Sequence, residues 1–204
     1  MSTLYRYADL DQPIPESFPS PVKNRVKIAP ATAGQYFPEF FIEEEQIINR
    51  GGLLTHVKQG ASLHEFTAQP LVLAFYSLHW NSYSDIYLEE LKVSHSAIEA
   101  IGTRLLVVSD EDKATFNDFH RQQLPFDIVA DAEHRIATEA GIYRDTDPIW
   151  GRVSGVNADV PIPAVYLIAP SLEITHAFTD PYFQGRLSVA RVLEAVGKEL
   201  AISA

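Results

Sequence analysis

The sequence predicts an α/β layer fold, a central mixed sheet flanked by helices behind an N-terminal extension. Three observations carry this. Continuous apolar runs of strand length recur at LVLAFY (71–76), TRLLVVS (103–109) and AVYLIA (164–169), as expected for strands buried on both faces. Segments with helical periodicity separate them, and the last two strands, AVYLIA and LEITHAF (172–178), are divided only by a tight Pro-Ser turn. The order βαβαβαββα therefore implies parallel crossovers followed by a terminal hairpin.

Residues 1–37 carry Pro13, Pro15, Pro19, Pro21 and Pro30 and read as an extended arm, with Tyr5 and Tyr7 available to dock it. Residues 38–204 read as one domain. FPEFFIEEEQIINRGG suggests a short hairpin closed by Gly51 and Gly52. SLHEFTAQ suggests a short helix with Ser62 as N-cap and Glu65 three residues later, the spacing of a capping box. After LVLAFY, a helix places Tyr87, Leu91, Ile98 and Ile101 on one stripe and ends at Gly102. Ser109 and Asp112 precede a helix expected to reach Gln122 with Phe116 and Phe119. FDIVAD is a strand, and AEHRIATEAG a short helix between Asp131 and Gly141. Residues 142–160, with Pro148, Trp150, Gly151 and Gly155, break the rhythm and read as an inserted loop. SVARVLEAVGKEL has the spacing of a final amphipathic helix.

Composition excludes several functions. A net charge of −11 and a pI near 5.0 oppose non-specific nucleic-acid binding and anionic membranes. No apolar run approaches the roughly 18 residues needed to span a bilayer, and no secretory leader is recognisable, so the expected location is cytoplasmic. The chain contains no cysteine, which rules out disulfides, thiolate catalysis and thiolate metal sites.

That absence bears on FYSLHWNSYSD (75–85), where an apolar strand passes through an aromatic residue into a helix. Together with VPIPAVYLIA (160–169) and TDPYFQGRLSVARVL (179–193), it resembles the alkyl hydroperoxide reductase/thiol-specific antioxidant group of thioredoxin-fold, peroxiredoxin-like proteins. One branch of that group reads approximately FYRGxWCPYCN, LPVPATYVID and DPDYTRR-x-EPEEIL at these places. The resemblance covers residues 34 to 200 and implies a thioredoxin-like sheet. It also implies that Pro163 follows a cis peptide bond, with Ile162 offering its backbone to an extended substrate. Read from the residues alone, Pro163 is a trans proline opening a strand.

The same alignment removes the chemistry. The peroxidatic cysteine of the group falls at Ser84, a hydroxyl residue at Asn81, a proline at Ser77 and an arginine near Thr175. Trp80 alone among these positions matches. A serine hydroxyl does not ionise near neutral pH and does not cycle through a sulfenate, so thiol peroxidase chemistry is excluded whatever the fold.

Other constellations are weak. Ser84 with His79 and Asp85 lacks the G-x-S-x-G elbow of a hydrolase, and a hydroxyl capping the helix is the simpler reading. Asn81 and Ser82 are both good N-caps. The seven histidines include no H-x-x-x-H pair, so no metal is expected; only His79 and His176 stand on strands that neighbour the site. Glu43–Glu45 reads as a solvated edge. No cofactor is implied.

The expectation is a non-catalytic binding or regulatory protein that uses the relic cleft, with an antioxidant role or a cysteine-independent enzyme as alternatives. The cleft would be bordered by Trp80, Tyr83, Ile162, Pro163 and Trp150 and would take a small anionic or peptide-like ligand, or a related redox protein. A homodimer is a further expectation from the resemblance.

Overall fold

The computed structural model describes residues 26–120, 123–150, 153, 155–156 and 158–184, with 194 and 197 besides. The prolines before residue 26, Tyr5, Tyr7 and Gln122 lie outside the described residues, as does the expected final helix except for Glu194 and Gly197.

Eight strands and four α-helices are described. They are β1 (Phe41–Ile42), β2 (Ile47–Asn49), β3 (Ala61–Ser62), α1 (Leu63–Phe66), β4 (Leu71–Tyr76), α2 (Ser82–Ala100), β5 (Arg104–Ser109), α3 (Lys113–Phe119), β6 (Asp127–Ala130), α4 (Arg135–Glu139), β7 (Ala164–Ile168) and β8 (Ile174–Thr179). Six strands form one mixed sheet in the order β2-β6-β5-β4-β7-β8. Strands β4, β5 and β6 run parallel, whereas β2, β7 and β8 are antiparallel to their neighbours. The three apolar runs occupy its centre. Every residue of β4 and β7 is buried, which is why those segments carry no polar alternation.

Local signals explain most boundaries. The capping box of α1 forms as its spacing predicts, with Glu65 accepting from the Ser62 N–H at 2.9 Å. Gly102 ends α2 at φ +73, a conformation that costs glycine little. Asp131 accepts from the N–H groups of Ile136 (3.0 Å) and Ala137 (2.9 Å), satisfying the open donors at the start of α4.

Two expectations are corrected. FPEFFIEEEQIINRGG is not a hairpin: β1 pairs with β3 in a separate two-stranded sheet, and β2 crosses to the edge strand position beside β6. Its two apolar pieces thus bury on different partners, with Glu43 and Gln46 capping a 3-10 turn between them. Helix α3 ends at Phe119, and only Phe116 is buried; Phe119 faces solvent. Within the 142–160 segment, Ile142, Ile149, Val156 and Val160 all enter the core.

The start of the described chain is also fastened down. Ile28 N–H donates to Asp147 (2.9 Å), Ala31 N–H to Ala140 O (3.0 Å) and Phe37 N–H to Leu172 O (2.8 Å). Phe37 belongs to the core, its ring edge-on to Tyr166 at 5.2 Å. At the other end of the molecule, Asp127 at the head of β6 accepts from three backbone donors, Gly51 (3.0 Å), Leu53 (2.8 Å) and Leu54 (2.9 Å).

Candidate functional site

The C-terminal ends of β4, β5 and β6 meet at one edge of the sheet, where α/β folds place their ligands. Strand β4 leaves this edge through Ser77, a 3-10 turn (Leu78–Trp80) and Asn81, which opens α2. Ser77 is fully buried and caps the turn, its Oγ accepting from His79 N–H at 3.0 Å. Here a hydroxyl does what the chain needs locally: it satisfies a donor that the turn leaves open.

Asn81 takes φ +58, ψ −141, a region that non-glycine residues rarely adopt, and its side chain makes no capping hydrogen bond. It is exposed and abuts the 142–160 segment. A Cβ placed on Gly155 would fall 2.4 Å from its Nδ2. The expected N-cap bond is thus absent because the side chain turns toward Gly155. Asn81→Gly is expected to raise stability by about 0.5–1.5 kcal/mol: relief of the strained backbone outweighs the added chain entropy. A melt showing a lower transition than the wild type would mean that the Asn81 side chain contributes more than the strain costs.

Ser84 is 3 % exposed, and its Oγ donates to Asn81 O at 2.5 Å. The Ser84 hydroxyl therefore back-bonds to the N-cap carbonyl instead of capping an N–H. The Tyr76 hydroxyl stands 3.0 Å from His120 Nε2. Burial, with Glu111 nearby, pushes the Tyr76 phenol well above its usual range, so it is a neutral donor. Burial also lowers the proton affinity of His120.

Trp80 fills the space beneath. It is 1 % exposed, its indole N–H donates to Pro161 O at 2.9 Å, and Tyr76, Tyr83, Tyr87 and Phe183 surround its ring edge-on. The VPIP segment thus reaches the Trp80 turn as the resemblance implies, but the Ile162–Pro163 bond is trans, because no cis peptide bond occurs among the described residues. The trans form is the ordinary preference of an X-Pro bond. It suits this segment, where Ile162 N–H donates to Ile142 O (3.1 Å) and Pro163 O accepts from Asp180 N–H (2.9 Å). Those backbone groups are engaged within the chain, and Ile162 is fully buried, so neither offers itself to an extended substrate.

Of the other expected residues, Tyr83 is half-buried with its ring on Phe183 at 5.2 Å, and Trp150 is 53 % exposed. Thr175 is not brought to the turn. The pairing of β8 with β7 and of β7 with β4 sets it level with Leu71 and Val72, roughly 13–17 Å along the strands from Tyr76. Its hydroxyl rests on Leu167 O at 3.4 Å. His176 lies on that same strand stretch and His79 on the exposed face of the 3-10 turn, so the two do not meet.

Sequence reasoning missed Asp110 and Glu111, just after β5. Both side chains are buried, and Glu111 accepts from Leu78 N–H and Ser109 Oγ. Burial and the adjacent Asp110 push the Glu111 carboxyl up to about 8. The signal was available: acidic residues directly after a buried parallel strand fall at the ligand-facing edge of the sheet. Phe183 had none, since nothing in DPYFQG says that its ring turns inward.

With this geometry established, comparison with known proteins gives a consistent answer. A reduced 2-Cys peroxiredoxin from Plasmodium vivax superposes with a TM-score of 0.64 at 18% identity over 82% of this chain and 81% of that one. AhpC from Mycobacterium tuberculosis gives 0.64 at 17% identity, covering 84% and 94%. AhpC from Enterococcus faecalis gives 0.64 at 11%, covering 86% and 96%. At such identities these structures establish the fold alone. No curated protein matches the chain. The AhpC/TSA family matches residues 34–177, most of the chain, and this cysteine-free protein belongs to that family.

Proposed function

We propose that the protein works without thiol chemistry, as a binding or regulatory member of its family that presents the turn at Asn81–Tyr83. The observation that carries this is the state of the peroxidatic position: Ser84 is buried, and its hydroxyl is committed to Asn81 O. No thiol-dependent antioxidant or oxidoreductase activity follows from such a site. What remains outward is Asn81 and Ser82 at the start of a 19-residue helix, whose positive end favours an anion or the carbonyl edge of a peptide. That end contributes only about 0.3–1 kcal/mol when exposed, so aromatic contact must supply most of the affinity. Trp150 and Tyr182 are the exposed aromatic residues on the flanking segments.

The ligand would rest on this surface instead of entering between Trp80 and Ile162, which are closed. A related redox protein or a second copy of the chain would be a natural partner, in a cytoplasmic setting. The burial of Trp80, Ser84 and Ile162 also favours a rival reading, a relic turn that has been filled and carries no ligand.

NMR titration separates them. Acetate, phosphate and short acidic peptides are expected to shift the amides of Asn81, Ser82 and Tyr83 in a saturable way. No saturable shift across that panel, or shifts confined elsewhere, would favour the filled turn. A second expectation concerns chemistry. The purified protein should not consume peroxide with thioredoxin, thioredoxin reductase and NADPH, and Ser84→Cys should not restore turnover, because the new thiol would be buried and without a resolving partner. Turnover above a heat-inactivated control in the wild type would refute this.

A further inference from the structure

Three oxidisable rings are closed off from water behind the Asn81 turn, and a fourth links them to the surface. Tyr76, Trp80 and Tyr87 are each 1 % exposed, whereas Tyr83 is half-buried. Ring centroids lead from Tyr83 to Tyr87 (6.3 Å) and on to Tyr76 (6.4 Å), both pairs stacked. A parallel route passes from Tyr83 through Trp80 (5.9 Å) to Tyr76 (6.0 Å). Spacings of this size put aromatic rings in contact, close enough for an electron to step from one to the next.

What separates Tyr76 from Trp80 and Tyr87 is a base. A phenol that loses an electron becomes a strong acid, so a radical settles where a proton acceptor is already hydrogen-bonded. The Tyr76 hydroxyl has His120 Nε2 at 3.0 Å. A phenol is the stronger donor and a neutral imidazole nitrogen the stronger acceptor, which assigns the shared proton to Tyr76 and the ring hydrogen of His120 to Nδ1. Burial disfavours the charged form of both groups, so the resting pair is neutral. By contrast, the Tyr87 hydroxyl has no hydrogen-bond partner, and the Trp80 N–H is held by the Pro161 carbonyl, far too weak a base to take a proton. His120 is half-buried and borders a pocket of about 300 Å³ lined also by Ile48, Asn49, Phe116, Asn117 and Leu124. The proton acceptor thus reaches solvent while the phenol does not.

We propose that the Tyr76–His120 pair is a one-electron redox site, which oxidising radicals in solution reach through Tyr83. One electron leaves Tyr76 and passes by way of Tyr87 or Trp80, then Tyr83, to the oxidant, which is reduced by one electron. The Tyr76 O–H bond breaks and an N–H bond forms on His120 Nε2, leaving a neutral phenoxyl radical beside an imidazolium. Enclosure keeps that radical from coupling with a second molecule, the usual fate of an exposed tyrosyl radical. The site needs no cysteine, and it is independent of any ligand at the Asn81 turn.

The test is oxidation of the full chain by photogenerated tris(bipyridyl)ruthenium(III), with transient absorption to time the tyrosyl radical and electron paramagnetic resonance to follow its decay. Exposed tyrosines such as Tyr36 and Tyr182 should give a signal that decays fast, and Tyr76 a second, persistent one. Tyr76→Phe keeps the packed ring and should lose the persistent signal alone. His120→Ala should slow its formation about a hundredfold, the usual worth of a positioned base, and added imidazole should restore the rate by entering the pocket. Tyr83→Leu should slow formation without shortening the decay. The Tyr76 and His120 variants each carry the test if the other does not fold. A wild type without a persistent tyrosyl radical would overturn the assignment. So would a persistent signal that survives Tyr76→Phe, forms as fast in His120→Ala or Tyr83→Leu, or is lost in His120→Ala and not restored by imidazole.

Discussion

Trp80→Ala is expected to lower folding stability by about 3–5 kcal/mol, the usual cost of truncating a buried aromatic residue. Its ring is the hub of the aromatic cluster, in contact with Tyr76, Tyr83, Tyr87 and Phe183, and its N–H is a direct tie to Pro161. Removal would leave a cavity and an unpaired carbonyl at once. Against a total stability of about 5–15 kcal/mol for an ordinary domain, that is a large share. Trp80→Phe retains most ring contact while losing the hydrogen bond and some volume, so about 1–2 kcal/mol is expected. Urea unfolding of both variants measures the two contributions. A cost below about 1.5 kcal/mol for the alanine variant would mean that neighbouring rings close over the gap.

Asp127→Ala should be comparably severe, for a polar reason. The carboxylate is 3 % exposed and is the acceptor for three N–H groups of the segment after β2. Each donor left dry costs about 1–3 kcal/mol, less whatever water can recover, so about 3–5 kcal/mol in all is expected. For a chain of this size that corresponds to a fall of roughly 10 °C or more in transition temperature. The segment has little freedom to find other acceptors, because a Cβ on Gly51 would lie 2.3 Å from the Phe126 backbone. Asp127→Asn keeps one oxygen acceptor and should recover part of the loss. If the alanine variant melts within a few degrees of the wild type, the three hydrogen bonds are replaceable by solvent.

The sheet was legible because β4, β5 and β7 must bury both faces, and only uninterrupted apolar runs can do so. The Ser62–Glu65 spacing and Gly102 likewise carry local physics that survives in the folded chain. The pieces around Phe41 and Ile47 were misread because short strands take their identity from distant partners, here Ala61–Ser62 and β6. The expected relic site rests on a motif resemblance, and Ser84 and Trp80 do stand together at the head of α2. Its openness could not be read in the same way. Small polar residues at 77, 81, 82 and 84 suggested an empty cleft, but Phe183, far away in sequence, packs its ring against Trp80 there. Register, too, is invisible locally: Thr175 is polar and near the motif in an alignment, yet it pairs at the wrong end of the strand.

The tethering of the early chain has a consequence for the order of folding. Ile28 meets its acceptor at Asp147 across a separation of 119 residues, and Phe37 waits for Leu172. Closing such long loops costs entropy that only late contacts repay. Emerging from a ribosome, residues 26–37 are made before any of these partners exist. They must stay unpaired while the β4–β5–β6 core assembles, and they dock only once β7 and β8 are complete. The segment is therefore a clasp that closes last, and its apolar residues, Phe37 above all, are exposed to misassembly for longer than the central strands.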